Sequence, residues 1–130
     1  MTMPQLDWLE GAKEALNADP AYRKLGSADV VIGFKAGKTI RRVTLEAFEV
    51  GAIEEIGEDD LRDVELVIDM PARDWTNYLK RRAKGTGLSL LSLDTDREIV
   101  SSRNVLDKMK FERYHLSIQA LIDKGAELAA

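Results

Sequence analysis

One stretch of this sequence resembles a phosphate-binding loop in its residue types. Gly33, Gly37, Lys38 and Thr39 approach the pattern G-x-x-x-x-G-K-[S/T], but three residues rather than four separate the two glycines. In that motif the glycine-rich loop opens a helix, whose first amides and dipole bind the phosphates. Here residues 40–45 alternate between polar and apolar, as a strand does. We therefore predict a hairpin turn after Ala36, and no nucleotide binding at Lys38 or Thr39.

Other residues that could do chemistry are few. His115 is the only histidine, and cysteine is absent, so thiolate metal sites and cysteine catalysis are excluded. We interpret His115 as an ordinary histidine on a helix surface or at the boundary between core and solvent, with proton transfer or a polar ligand contact as alternatives. The acidic stretch 54–60 lacks the ligand spacing of a calcium loop and predicts a solvated turn. We assign no catalytic residue, no metal ligand and no cofactor.

Composition sets broad limits on the class of protein. The chain has 130 residues, of which 45% are hydrophobic and 32% charged, with a net charge of −4. These values are typical of one globular domain spanning residues 1–130. The negative charge argues against a nucleic-acid partner. The sequence has no apolar run long enough for a membrane span and no secretory signal, so we expect a cytoplasmic protein.

The clearest structural pattern lies in residues 63–79. Apolar residues first alternate, as in a strand, and from Ala72 onward they follow helical spacing. Pro71 stands at the change of period, where its fixed φ suits a first helical turn. A strand leading directly into a helix is therefore predicted here.

Helical spacing also predicts a first helix over residues 4–17, broken by Asp19-Pro20, and a long last helix from Val105 to about Gly125. A turn of helix is expected over 21–25. In the second strand, Ile40 and Phe48 break the alternation, so we expect a bulge or a second buried face there. The leucine-rich stretch 88–93 fits either a short helix or a strand. The basic residues 80–84 fit the end of a helix, capped by Gly85, with anion binding as the alternative.

The order of these elements resembles the sterol carrier protein-2 (SCP2-like) domain family, over about residues 6–121. Residues 63–70 look like the family's strand motif, 72–79 like the helix after it, and 107–114 like the start of its last helix. Residues 97–104 depart from the family, since a glycine-lysine run usually precedes that last helix. The resemblance implies a five-stranded sheet covered by helices, with an apolar cavity that binds lipids, sterols or fatty acyl groups without a metal.

We therefore predict an α+β fold with a mainly antiparallel five-stranded sheet, formed by segments 28–35, 38–49, 51–57, 64–70 and 97–101. Apolar side chains from the sheet and helices are expected to line a ligand cavity, with a packed core as the alternative. The expected ligand-binding residues are Val43, Leu45, Leu66, Ile68, Trp75, Tyr78, Leu79, Leu91, Phe111, Leu116 and Leu121.

Three functions are compatible with this interpretation of the sequence. The first is non-catalytic binding of an apolar small molecule of lipid, sterol, isoprenoid or fatty acyl type. The second is an accessory subunit that forms a homodimer or pairs with an enzyme. The third is a small α+β enzyme, such as a cyclase or isomerase, for which Glu65 and Asp69 are the candidate strand acids.

Overall fold

The computed structural model describes residues 6–129. Over this range a short 3₁₀ helix, Glu58–Asp63, follows the third strand. The other elements, in chain order, are α1 (Trp8–Asn17), α2 (Pro20–Arg23), β1 (Val30–Ala36), β2 (Thr39–Glu46), β3 (Glu49–Ile56), β4 (Leu66–Met70), α3 (Ala72–Ala83), α4 (Leu90–Arg97), β5 (Val100–Ser102) and α5 (Val105–Ala129).

The five strands form one mixed sheet in the order β3-β2-β1-β4-β5. Strand β1 pairs antiparallel with β2, β2 with β3, and β4 with β5. Only the β1–β4 pair, in the sheet as described, is parallel. The 3₁₀ helix lies in the connection that brings the chain from β3 back beside β1. The predicted α+β fold with a mainly antiparallel five-stranded sheet is therefore confirmed.

The second predicted strand, 38–49, was wrong in its extent. The chain turns at Ala47, which has φ +50°, and residues from Glu49 onward belong to β3. Phe48 breaks the alternation because it lies in this turn. The predicted fifth strand was also placed too early: α4 continues through Arg97, and β5 begins at Val100.

Ile40 breaks the alternation because the sheet has a second buried face. Its partner across the hairpin is Lys35, which points away from the main core. On this face Leu61 and Val64 cover Gly33, and a Cβ on Gly33 would lie 3.1 Å from the Leu61 side chain. Gly33 thus lies in close contact with these side chains, which gives the first glycine of the loop-like motif a role in packing.

The strand-to-helix junction at Pro71 is confirmed, because β4 ends at Met70 and α3 begins at Ala72. The leucine-rich stretch forms a helix, α4, whose first turn is capped by the Ser89 side chain. Helix α5 runs past its predicted end at Gly125. The predicted start of the first helix, at residue 4, lies outside the described residues.

The main core lies between one face of the sheet and the helices, with α1 and α5 packed side by side. Trp8, Phe34 and Trp75 form an aromatic cluster with ring centroids 5.8–6.1 Å apart. The Trp75 indole Nε1 donates a hydrogen bond of 2.7 Å to the carbonyl of Lys35. Gly125 allows this packing, because a Cβ there would lie 2.2 Å from the Trp8 ring.

Candidate functional site

Nine of the eleven predicted ligand-binding residues lie together in the main core. Each is at most 7% exposed, and all belong to one continuous apolar cluster. They are Val43, Leu45, Leu66, Ile68, Trp75, Tyr78, Leu79, Phe111 and Leu121.

Leu91 and Leu116 do not join this cluster, being 37% and 58% exposed. The expectation that they close the interior was wrong, because both lie off the buried faces of their helices. At 3.6 residues per turn, Leu116 is about 200° from the fully buried Ile118 on α5, and Leu91 is about 100° from the buried Leu90. Leu90 and Ile118 contribute to the core in their place.

A polar network holds α3 against α5 at the edge of this core. The Tyr78 hydroxyl donates to the carbonyl of Leu88 at 2.8 Å and accepts from Gln119 Nε2 at 3.3 Å. Gln119 Nε2 also donates to Asp123 Oδ1 at 3.0 Å. Two guanidinium nitrogens of Arg82 bind the two Asp123 oxygens, each at 2.8 Å. We refer to the side chains of Tyr78, Arg82, Gln119 and Asp123 as the Tyr78 network.

Arg82 was interpreted from the sequence as part of a basic helix end, and its pairing with Asp123 shows a more specific role. Asp123 raises the pKa of the Arg82 guanidinium, chiefly through their hydrogen bonds. Arg82 Nη1 also donates to the carbonyl of Gly87 at 3.1 Å. Gly85 has φ +73°, as the predicted helix cap requires.

A cleft of about 220 Å³ lies beside the Tyr78 network, between α3 and α4. Its lining is mainly polar and mixes arginines with aspartates, including Arg97 and Asp74, which face each other at 3.9 Å. The lining side chains are Met70, Asp74, Asn77, Tyr78, Arg81, Leu88, Leu93, Asp96 and Arg97.

A second opening, which we call the Tyr22 groove, lies between the end of α1, α2 and the last turns of α5. It has a volume of about 270 Å³, is open to solvent and is mainly apolar. Its floor includes Leu16 and Tyr22, which are part of the main core. The lining residues are Leu16, Asp19, Ala21, Tyr22, Leu25, Ala120, Asp123, Lys124 and Glu127.

The Asp19-Pro20 pair explains why the chain bends around this groove. Asp19 has an extended backbone, as the residue before proline prefers. Its carboxylate accepts a hydrogen bond of 2.9 Å from the Ala21 N–H and so caps the short helix α2. Pro20 begins that helix. The bend places Tyr22 against the core.

Tyr22 is only 3% exposed, and its hydroxyl has no hydrogen-bonding partner within residues 6–129. Burial raises the pKa of the Tyr22 phenol above its ordinary value. The group therefore remains a neutral donor and acceptor at physiological pH.

The charges around the groove are paired with one another. Lys124 Nζ lies 3.0 Å from Asp19 and 3.7 Å from Glu127. The Ala21 N–H, followed by Lys124, lowers the pKa of the Asp19 carboxyl, and Asp19 in turn raises the pKa of Lys124. Asp123 is held by Arg82. Three carboxylates and one ammonium line the groove, so its rim is negatively charged overall.

The loop-like motif forms the predicted hairpin, since β1 and β2 pair on either side of Gly37, which has φ +63°. The acids of stretch 54–60 take part in local contacts: Glu54 pairs with Arg42 at 3.1 Å and Glu58 with Lys35 at 2.8 Å. Residues 6–129 contain no group of three potential metal-ligating side chains.

The strand acids Glu65 and Asp69 are not brought together as a catalytic pair. Glu65 accepts a hydrogen bond of 3.0 Å from the Val31 N–H and pairs with Lys110, whereas Asp69 is exposed. His115 is half-buried on α5, as expected for a boundary position. Across the described range, no helix combines the length and apolarity needed to cross a membrane.

Sequence reasoning missed the Tyr22 groove. The available signal was the spacing of Leu16, Tyr22 and Leu25 around the Asp19-Pro20 break. Tyr22 and Leu25 are three residues apart, as in a helix, but the break separates them from Leu16 on the first helix, and only the bend brings the three side chains together.

Comparison with known proteins relates the chain to one described molecule at the level of fold. No family model matches the sequence, and no curated protein matches it. The solution structure of TT1886, a conserved hypothetical protein from Thermus thermophilus described as a possible sterol carrier protein, superposes with a TM-score of 0.64. The two sequences are 18% identical, over 100% of this chain and 91% of that one. This likeness shows a shared α+β fold.

Proposed function

We propose that this protein binds an apolar small molecule non-covalently, with the Tyr22 groove as the binding site. The observation that carries the proposal is the mainly apolar lining of the groove, which combines the buried core residues Leu16 and Tyr22 with the exposed Leu25. Apolar concave sites with a few polar groups are typical of small-molecule binding. The fold shared with TT1886, described as a possible sterol carrier protein, supports the same class of ligand.

The size of the groove favours one kind of apolar ligand. Pockets for drug-sized molecules usually measure about 300–1,000 Å³, and this groove has about 270 Å³. An alkyl or acyl chain fits such a space more readily than a rigid fused-ring skeleton. Fatty acyl and linear isoprenoid groups are therefore preferred to sterols.

The nine buried residues of the predicted site form the proposed inner wall. Leu16 and Tyr22 belong to the same apolar cluster as these residues, so a long chain that passes the groove floor would contact them next. Such a chain must displace existing side-chain contacts, since the nine residues are tightly buried. We therefore expect the groove to fill first.

A series of straight-chain alcohols, from hexanol to tetradecanol, tests this proposal. Native mass spectrometry of the delipidated protein reports stoichiometry, and displacement of Nile red gives Kd. Each methylene buried contributes about 0.8 kcal/mol, so Kd should fall about fourfold per methylene until the groove is full. If Kd keeps falling at this rate for alcohols too long for the groove, the alkyl chain reaches the inner wall.

Replacing either of two alanines by phenylalanine tests where the ligand binds. Ala21 is exposed and lines the groove, so Ala21→Phe should obstruct binding at little cost in stability. Ala52 is also exposed, lies on β3 and does not line the groove, so Ala52→Phe should leave Kd unchanged. Absence of saturable binding for every alcohol would refute the proposed function, and an equal effect of both variants would refute the location.

A further inference from the structure

We propose that the Tyr22 groove selects neutral amphiphiles, with the Tyr22 hydroxyl binding the alcohol or carbonyl oxygen at the polar end of the ligand. This inference rests on the proposed function, to which it adds the chemical class of the ligand and the residue that recognises it. Three features of the groove support it: an unpaired hydroxyl, a charged rim without a spare cation, and the short segment on which Tyr22 lies.

The first feature is the state of the Tyr22 hydroxyl. Buried side-chain oxygens are nearly always hydrogen-bonded, so an unpaired one requires an explanation. Tyr22 is only 3% exposed in a groove wall, and within the described chain nothing hydrogen-bonds to its hydroxyl. A neutral phenol can donate to a carbonyl or hydroxyl oxygen and can accept from a hydroxyl. A ligand with one such group would satisfy it.

The second feature is the charge of the rim. Lys124 is the only cation among the lining residues, and it already contacts Asp19 and Glu127. A ligand carboxylate would therefore meet three protein carboxylates without gaining an unpaired cation. An ammonium group would be attracted to the rim, but taking it to the buried hydroxyl would remove it from water at a large cost. A neutral head group avoids both penalties.

The third feature is the short segment that carries Tyr22. Helix α2 has four residues, and Gly26, just beyond it, has φ +94°. Ala21 and Leu25, the exposed apolar residues of the groove, both lie on this short segment. An outward shift of residues 20–25 would carry the Tyr22 hydroxyl toward the opening without moving α1 or α5.

Four unbranched ten-carbon ligands test the inference: decanol, 2-decanone, decanoate and decylamine, each displacing Nile red at pH 7. We expect the two neutral compounds to bind most tightly. Tyr22→Phe should weaken their binding about fivefold, as expected for loss of one neutral hydrogen bond. Binding of decanoate and decylamine should change little in this variant. Tyr114→Phe is the matched control, because Tyr114 is partly buried on α5 and does not line the groove; it should not alter any Kd.

The four outcomes separate this inference from the proposed function. If all four ligands bind and Tyr22→Phe has no effect on any, the hydroxyl is satisfied by solvent and the inference fails while apolar binding stands. If decanoate or decylamine binds most tightly, selection of neutral ligands is refuted. If none binds, the proposed function itself fails. A selective loss of decanol and decanone affinity in Tyr22→Phe supports the inference.

Discussion

The two buried tyrosines that lie against α5 differ in what surrounds their hydroxyl groups. Tyr78 is bonded to Leu88 and Gln119, within a network that continues to Asp123 and Arg82. Tyr22 is just as buried, and no described residue contributes a partner for its hydroxyl. In the first region the tyrosine hydroxyl is hydrogen-bonded within the folded protein, whereas in the second an unpaired hydroxyl lies beside an apolar opening. This difference distinguishes a structural polar cluster from a candidate ligand contact.

The largest expected effect compares apolar residues from the two regions. Leu79, on the same helix as Tyr78, is 7% exposed, and Leu25 in the Tyr22 groove is 43% exposed. Leu79→Ala should lower the free energy of unfolding by about 2–5 kcal/mol, as for a dry core. Leu25→Ala should change it by less than about 0.5 kcal/mol and weaken alcohol binding instead. Urea denaturation of both variants measures the difference.

A small stability loss in Leu79→Ala would break the comparison, since it would mean that the wall near Tyr78 lines an open space. Leu79→Ala would then be expected to alter ligand affinity as well. Nile red displacement on the same two variants checks that outcome.

Removing the two tyrosine hydroxyls should change the free energy of unfolding in different directions. Tyr78→Phe removes the hydrogen bond to the Leu88 carbonyl and the hydrogen bond from Gln119 Nε2. We therefore expect the free energy of unfolding to fall by about 1–2 kcal/mol. Tyr22→Phe removes an unpaired buried hydroxyl, so stability should be unchanged or rise by up to about 1 kcal/mol. Thermal and urea unfolding of the ligand-free proteins measure both. Equal destabilisation by the two variants would show that Tyr22 has a partner in solution.

The smallest expected effect appears at alkaline pH. Burial raises the pKa of both phenols, but for Tyr78 the hydrogen bond from Gln119 and the charge of Arg82 oppose the increase. Above about pH 10, the ordinary pKa of tyrosine, the unfolded chain releases these protons first and the folded state holds more of them. The free energy of unfolding must then fall as pH rises, whereas below that pH it does not depend on the ionisation of either tyrosine.

Tyr22→Phe should therefore lose less stability than the parent protein between about pH 9 and pH 11. Tyr78→Phe should reduce this loss of stability by a smaller amount, because opposing interactions limit the increase in the pKa of Tyr78. Urea denaturation across this interval measures both slopes. Parallel curves for the parent and Tyr22→Phe would show that the Tyr22 phenol reaches water in the folded state.

Local patterns predicted the parts of the fold that depend on neighbouring residues. The change of apolar period at Pro71 set the β4–α3 junction, and Gly37 set the β1–β2 hairpin. Both depend on backbone preferences within a few residues, which the sequence carries directly. The same reasoning placed nine of eleven apolar candidates inside. It failed for Leu91 and Leu116 because hydrophobicity alone does not fix which face of a helix is buried.

The sequence by itself therefore determined most of the element types, most of the apolar interior and the strand-to-helix junction. Tertiary structure decided which residues meet: Gly33 beneath Leu61, Gly125 against Trp8, and Arg82 on Asp123. It also decided that the Tyr22 hydroxyl is buried in a groove between α1, α2 and α5. These contacts join residues far apart in the chain, and their chemistry depends on distances and burial that no local pattern encodes. Whether a buried tyrosine hydroxyl finds a hydrogen-bonding partner is decided by the residues that the whole fold places around it.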